Sequence, residues 1–408
     1  LPATSTAIDE RLRVLFLKMQ AEQASLRDVA ATLNQIVLEQ AARLPLEWQI
    51  AGGTDIGATH QHNEDSYYPT PLELAQDPTG GKIAIICDGV AGHEGGEVAS
   101  QMAVNLLKIQ TQNLLENLSH SREIVAPEQI CNTIGAIVRV VNNTITAQNH
   151  SQGREDTRRM GTTMVMAIQV NQPIRAGKGF GNSHEIYIAH VGDSRAYWIT
   201  PHRCQLLTID DDIATREVKQ GRDVPWHSAS RPDASALTQA LGMKSGELLQ
   251  PTVQRLMAIE DGILLLCSDG LSDRQLVESS WQDYAERVLH GDLPLTEAVQ
   301  SWLALAHREN GDDNISLILM SCNVSKPAPS SNIDRPTLLE ALSPRSQLTR
   351  SERHSHPRFR FNRTINLFLW LTTGIGLLAA AAIALTFFYP ALLENWQKPG
   401  SQSAELER

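Results

Sequence analysis

The chain has few cysteines and no excess of positive charge. Five cysteines occur among 408 residues, and none forms a CxxC pair. This odd, unpaired set argues against a disulfide framework or a zinc ribbon, and a reduced compartment fits best. The formal net charge of −11 argues against nucleic acid as a partner. No basic segment followed by an apolar one opens the chain, so we expect no signal peptide there.

Residues 1–47 are predicted to form a helical segment. Apolar side chains recur at helical spacing through residues 8–44. Ser25 and Asp28 resemble a capping box, with Asp in place of Glu, that would begin a second helix. The pattern fits a helical pair packed on the main domain, and it also fits an element that docks a partner.

The only long run without charge lies near the end of the chain, at residues 365–389. At about 1.5 Å per residue, a helix of this length can cross a hydrocarbon core of roughly 30 Å. We therefore predict a single transmembrane helix that contacts membrane lipid. Six arginines precede it between residues 345 and 363, whereas only Lys398 and Arg408 follow it. The positive-inside rule then places residues 1–364 in the cytoplasm, attached to the cell membrane by one span.

Composition divides the rest of the chain. Residues 322–364 are rich in Ser, Pro and Arg, which is typical of a disordered linker. Residues 390–408 form a short tail after the predicted span. Residues 48–321 remain as the main domain.

Acidic residues stand where apolar strands begin or end. Ile83–Cys87 is an apolar run that stops at Asp88 and Gly89, as a buried strand closed by a turn does. Comparable positions are held by Asp193, Asp269 and Asp313, with Glu64 and Asp65 as a fifth polar cluster. A single Asp-Gly pair is usually only a turn, but the repetition indicates a shared site. Without paired Cys or clustered His, such oxygen ligands suit Mg²⁺ or Mn²⁺ better than zinc.

Three segments between the strands carry local predictions. Residues 171–183 are rich in Gly and are predicted to be a loop. Residues 184–199 alternate on both sides of a turn and are predicted to be a hairpin with Asp193 and Arg195 at its tip. Residues 210–235 form a long polar connection, which is typical of a functional flap.

Short motifs follow one another in a fixed order along the main domain. They occupy residues 54–57, 63–65, 88–100, 160–163, 191–195, 268–271 and 313–315. Together they resemble the metal-dependent protein serine/threonine phosphatases of type 2C, in the bacterial form, over roughly residues 48–321. The resemblance implies an α+β fold, a four-layer α-β-β-α sandwich of two antiparallel sheets flanked by helices, to which the transmembrane helix would be added.

The resemblance also implies a metal site with two Mn²⁺ or Mg²⁺ ions. By matching position, Asp88 would bridge both ions and the Gly89 carbonyl would bind one of them. Asp269 and Asp313 would bind the other ion. Asp193, together with Asp269, would match a third and weaker site.

One polar residue near these ligands differs from the residue that the family usually has. Glu64 and Asp65 would hold metal waters or orient ligands. The family usually has an arginine for the substrate phosphate where this chain has His60, which lacks the bidentate guanidinium fork. Arg195 could substitute for it, although the family uses that position for structure.

The implied reaction is hydrolysis of phosphoserine or phosphothreonine by a water activated between the two metals, without a phosphoenzyme. His62 and His93 are candidate proton donors to the leaving oxygen, although most single histidines have only a structural role. The partners would be a phosphorylated protein substrate and an opposing serine/threonine kinase. The alternative is a pseudophosphatase that binds phosphoproteins or kinases. His60 favours this alternative, and the complete set of acids at the metal positions favours the enzyme.

Overall fold

Two five-stranded antiparallel sheets form the centre of the protein. The computed structural model describes residues 3–76, 81–90, 95–121, 123–155, 158–176 and 179–325. The strands are β1 (Glu47–Asp55), β2 (Ser66–Tyr68), β3 (Ile83–Cys87), β4 (Met164–Val170), β5 (Pro173–Ala176), β6 (Gly179–Asn182), β7 (Glu185–Val191), β8 (Arg195–Thr200), β9 (Arg203–Leu206), β10 (Thr252–Met257), β11 (Gly262–Cys267) and β12 (Ile315–Asn323). One sheet has the order β1-β12-β11-β8-β9, and the other has the order β10-β7-β4-β3-β2.

The described chain contains eleven α-helices. They are α1 (Ala3–Gln20), α2 (Leu26–Ala41), α3 (Pro71–Gln76), α4 (Gly96–His120), α5 (Pro127–Ser151), α6 (Ile213–Lys219), α7 (Pro225–Ser228), α8 (Asp269–Ser272), α9 (Leu276–Ser280), α10 (Gln282–His290) and α11 (Leu295–Glu309). Of these, α4, α5 and α8 to α11 cover the outer faces of the sheets. Pro127 occupies the first turn of α5, where its missing N–H is not needed.

Both faces of the sheets are buried, which explains their unbroken apolar strands. Ile83, Ile85 and Cys87 of β3 pack against α4 and α5. The intervening Ala84 and Ile86 pack against the opposite sheet, because successive strand residues point to opposite faces. Helices α8 to α11 cover the other sheet from outside. The α-β-β-α arrangement of the predicted α+β fold is therefore confirmed for the described residues.

Strand register gathers the acid-bearing turns at one end of the sandwich. The first residue of β2 pairs with the last of β3, as Ser66 with Cys87. On the other sheet, Cys267 at the end of β11 pairs with Arg195 at the start of β8 and with Leu317 near the start of β12. The turns next to these residues therefore open at the same end.

Two local predictions were wrong. Residues 184–199 do not form a hairpin, since β7 belongs to one sheet and β8 to the other, so Asp193 lies where the chain crosses between sheets. Alternating polarity predicts strands but does not say which strand pairs with which. Residues 171–183 are more than a loop, because β5 and β6 pair within them.

The flap region, residues 210–235, contains α6 and α7 rather than irregular chain alone. Its two ends are held together by a bridge between Asp212 and Leu237. The Ile213 N–H also donates to the Ala236 carbonyl at 3.0 Å. The segment therefore leaves and rejoins the domain at one point.

Of the two N-terminal helices, α2 packs on the main domain, and α1 pairs with α2 through Arg11 and Glu39. The predicted capping box is confirmed, because Asp28 N–H donates to Ser25 Oγ at 3.2 Å and Ser25 N–H donates to Asp28 Oδ2 at 3.0 Å. Leu38 and Ala42 pack against Ile174 of the β5–β6 hairpin.

At the other end, β12 runs to Asn323, two residues beyond the predicted domain end at 321. Residues 326–408 lie outside the described residues, and so does the predicted span at residues 365–389. Within the described part of the chain, no helix is both long and apolar enough to cross a membrane.

Candidate metal centre

Backbone contacts fix Asp88 at the end of β3. Thr163 N–H donates to the Asp88 carbonyl at 2.7 Å, and Thr162 Oγ1 donates to the same oxygen at 2.7 Å. Asp88 N–H in turn donates to Thr163 Oγ1 at 3.2 Å. Thr163 Oγ1 also bonds Ser194 Oγ at 2.7 Å, which ties Asp88 to the turn that carries Asp193.

Five aspartates in this region interact electrostatically. Burial raises the pKa of Asp88 well above its ordinary value, and the charges of Asp65 and Asp269 raise it further. Burial and the charge of Asp269 raise the pKa of Asp193 to about 8. Burial and the charge of Asp313 raise the pKa of Asp269 to about 6. Carboxylates that raise one another's pKa lie close together, and a bound cation would relieve their repulsion.

Asp65 is the most buried acid of the group, with 7% of its surface exposed. Burial raises its pKa to about 7, although a hydrogen bond from Ser268 opposes this shift. Ser268 Oγ donates to Asp65 Oδ2 at 2.8 Å, and Ser316 N–H donates to Ser268 Oγ at 2.9 Å. Asp65 Oδ1 and Asp269 Oδ1 are buried and have no partner among the described residues.

Glu64 lies where β3 meets the first turn of α4. A Cβ built on Gly89 would lie 2.8 Å from Glu64 Cβ and 2.7 Å from the Gly96 carbonyl carbon, so only glycine permits this approach. Gly89 N–H donates to the Glu64 carbonyl at 3.2 Å. Burial and the charge of Glu97 raise the pKa of Glu64.

The histidines and the arginine proposed for phosphate binding or proton donation occupy different environments. His60 Nε2 lies 3.5 Å from Asp313 Oδ1, and its side chain is 38% exposed. His62 is exposed in the same loop, and His93 lies outside the described residues. Arg195 donates to Asp210 at 2.7 Å and 3.1 Å, and its charge opposes the rise that burial causes in the pKa of Asp193. The ion pair with Asp210 is what the structural role implied by the resemblance would require.

The donor atoms of the cleft fit hard divalent cations. Within the described part of the chain, no group of three or more His, Cys, Asp or Glu side chains is arranged to enclose a metal ion. Mg²⁺ does not require such a cage, because it keeps several waters and usually binds only one or two carboxylates. The unpaired buried oxygens of Asp65 and Asp269 offer hard ligands of this kind. Zinc would favour sulfur and nitrogen ligands, whereas the buried unpaired atoms of these two acids are oxygens.

Sequence reasoning missed the polar residues that hold the acids in place. They are Thr163, Ser194, Ser268 and Asn314, each hydrogen-bonded to an acid or to a loop that carries one. All four lie inside the motifs named above, beside the acids, and this position was the available signal. Their partners are 31 to 250 residues away in sequence, so spacing alone could not identify them.

The sequence of this chain is similar to those of known protein phosphatases. A sequence model of the family described as protein phosphatase 2C matches residues 53–305. Serine/threonine phosphatase stp of Listeria monocytogenes is 27% identical over 273 residues, which cover 67% of this chain and 95% of that protein. Protein phosphatase PhpP of Streptococcus pneumoniae is 29% identical over 273 residues, covering 66% and 96% respectively.

A solved structure supports the same fold. The crystal structure of serine/threonine phosphatase Stp1 from Staphylococcus aureus covers 68% of this chain and 96% of its own, with a TM-score of 0.51 at 23% identity. This likeness shows a shared fold. The family match, by contrast, spans more than half of the 408 residues. The chain therefore belongs to the protein phosphatase 2C family.

Proposed function

We propose that residues 48–321 hydrolyse phosphoserine and phosphothreonine in proteins with the help of two Mn²⁺ or Mg²⁺ ions. The chain is a protein serine/threonine phosphatase by its family, and enzymes of this family use two such ions. One observation supports the metal requirement more than any other. Burial and the charges of neighbouring acids raise the pKa values of Asp65, Asp88, Asp193 and Asp269 at the same end of the sandwich.

We assign the ligand roles by position in the motifs. Asp88 would contact both ions, with the Gly89 carbonyl on one of them and Asp269 and Asp313 on the other. Asp193, with Asp269, would serve a third and weaker site. Two ions, when bound, would lower the pKa of a shared water and orient it toward phosphorus.

The remaining polar residues would orient ligands and substrate. Asp65, held by Ser268, would accept hydrogen bonds from metal waters, and Glu64 would do the same from the start of α4. His60 would donate to the substrate phosphate from its place beside Asp313. His62 and His93 are the candidates for donating a proton to the leaving serine or threonine oxygen.

The direct test is hydrolysis of p-nitrophenyl phosphate and of a phosphothreonine peptide by the full chain. The assay compares Mn²⁺, EDTA, and Asp88→Asn in the presence of Mn²⁺. Turnover that needs Mn²⁺ and is lost in the variant is the expected result. Equal turnover in EDTA would refute the metal mechanism.

A pseudophosphatase remains the second candidate, because His60 stands where the family usually has an arginine. A chain of this kind would bind a phosphoprotein or a kinase without hydrolysis. Its signature would be Mn²⁺ binding by calorimetry without turnover. In that case Asp88→Asn would leave partner binding largely intact.

We also propose that residues 365–389 anchor the protein in the cell membrane with residues 1–364 in the cytoplasm, near an opposing serine/threonine kinase. The uncharged run and the six arginines before it support this proposal. Deletion of residues 365–389 should move the protein from the membrane fraction to the soluble fraction. Membrane association that survives the deletion would contradict the anchor.

A further inference from the structure

We propose that Asn314 is a positioning residue that keeps His60 aligned with Asp313 for binding the substrate phosphate. Two segments are involved: the His60 loop, residues 56–64, and the Asp313 turn, residues 311–314. This inference rests on the proposed function, since it concerns how that reaction binds its substrate.

The side-chain amide of Asn314 forms hydrogen bonds with both ends of the His60 loop. Asn314 Nδ2 donates to the Ile56 carbonyl at 2.7 Å and to the His62 carbonyl at 3.2 Å. Its Oδ1 accepts from Glu64 N–H at 2.7 Å. Only 3% of Asn314 is exposed. Both amide hydrogens and the amide oxygen are therefore used, and all three bonds go to one loop.

Further contacts hold the same two segments together between these ends. Ala58 N–H donates to the Gly311 carbonyl at 2.8 Å, and Thr59 Oγ1 donates to the Asp312 carbonyl at 2.8 Å. Gly57 has a φ of +76°, and a Cβ there would lie 2.2 Å from the Asp313 carbonyl oxygen. The loop therefore follows the turn closely, and a displacement of one would displace the other.

His60 depends on this backbone for its position. Its side chain makes no hydrogen bond to a described residue, and its Nε2 lies 3.5 Å from Asp313 Oδ1. The same Asp313 oxygen accepts from the backbone N–H of Asn314 at 2.7 Å. Asn314 thus contacts the acid through its backbone and the His60 loop through its side chain. Buried bonds of this kind are costly to lose, whereas the Thr59 bond is exposed and weaker.

The test compares Asn314→Ala and the milder Thr59→Val with a matched control, Asn142→Ala. Asn142 is also buried, donates to the Lys244 carbonyl at 2.8 Å and accepts from Gly242 N–H at 2.9 Å. We expect Asn314→Ala to raise KM for a phosphothreonine peptide about tenfold with kcat changed less than about threefold, as for loss of one or two net hydrogen bonds. Thr59→Val should raise KM by roughly threefold. Asn142→Ala should lower Tm without changing KM.

A double-mutant cycle separates positioning from general destabilisation. In the His60→Ala background, Asn314→Ala and Thr59→Val should no longer raise KM, because the residue that they position is gone. Additive effects on KM would overturn the inference. So would equal increases in KM for Asn314→Ala and Asn142→Ala. Thr59→Val decides the question if Asn314→Ala does not fold.

Binding of inorganic phosphate to the Mn²⁺-loaded chain, measured by calorimetry, supplies a readout without turnover. We expect its Kd to rise about tenfold in Asn314→Ala and to stay unchanged in Asn142→Ala. Absence of turnover in the unmodified chain would refute the proposed function alone, and the phosphate titration would still decide the role of Asn314. An unchanged Kd in Asn314→Ala would refute that role.

Discussion

The Asp88 carboxyl group should favour metal binding but destabilise the metal-free protein, because other acids surround it. Asp88→Asn should lower Mn²⁺-dependent turnover by more than about a hundredfold. Loss of a residue that only supports a metal ligand costs up to about a hundredfold, and loss of a ligand should cost more. The same Asp88→Asn change should raise the free energy of unfolding of the metal-free protein by on the order of 1 kcal/mol, since an asparagine neither carries a charge among the acids nor has to take up a proton on folding. Turnover and urea denaturation in EDTA measure the two effects.

Asp283→Asn provides the control, since Asp283 is an exposed acid of α10. It should leave turnover unchanged and should not raise the free energy of unfolding, because an acid in the first turn of a helix is mildly stabilising. A metal-free Asp88→Asn protein that is less stable than the unmodified chain would contradict the repulsion that we infer from the raised pKa values.

His60 offers a gain-of-affinity prediction. His60→Arg should lower KM for a phosphothreonine peptide by about tenfold, because a guanidinium can make two charge-assisted hydrogen bonds to a phosphate. The measurement is steady-state kinetics with Mn²⁺ in excess. An unchanged KM would mean that the phosphate does not reach this position.

At the scale of elements, α2 is joined to the sandwich through a buried ion pair. Arg255 of β10 lies 2.9 Å from Glu185, which is 1% exposed, and it also contacts Asn34 of α2. Arg255→Met should lower the free energy of unfolding by about 3 kcal/mol, because it leaves a buried carboxylate without its cation. Urea denaturation measures this loss.

The exposed pair Arg203–Glu260 is the natural comparison. Arg203→Met should cost less than about 1 kcal/mol, as exposed ion pairs do. Combining Arg255→Met with Glu185→Gln should recover part of the loss. If Arg255→Met lowered the free energy of unfolding only as much as Arg203→Met, other contacts would have to stabilise the Glu185 carboxylate.

At the scale of the whole molecule, the cleft acids make the metal-free protein sensitive to pH. In the folded state the pKa of Asp65 is about 7, that of Asp193 about 8 and that of Asp269 about 6, whereas an unfolded aspartate titrates near about 3.9. Between roughly pH 4 and pH 8 the folded state therefore binds more protons than the unfolded state, and stability falls as pH rises. We expect Tm in EDTA to be roughly 5 °C higher at pH 5.5 than at pH 8.

Added Mn²⁺ should remove most of this difference, because the cation replaces the protons. Thermal denaturation at both pH values, with EDTA or with Mn²⁺, measures the effect. A metal-free protein that is more stable at pH 8 than at pH 5.5 would contradict the predicted direction.

The sequence by itself determined the apolar core strands, the capped N-terminal helix and the order of the motifs, but not β5 and β6. These features depend on neighbouring residues: apolar runs such as Ile83–Cys87, a four-residue capping box at Ser25, and acids beside glycine. Local patterns report which faces are buried and where a strand stops, whereas the α+β sandwich and the metal site at its end were implied by the family resemblance that the ordered motifs carry.

Only the tertiary structure decided which residues meet. It placed β7 and β8 in different sheets, which turned a predicted hairpin into a crossing at Asp193. It also brought Asn314 to Glu64, which is 250 residues away. The physical reason is that strand pairing and buried hydrogen bonds depend on distant partners, while sequence periodicity records only how each segment divides its own side chains between core and solvent.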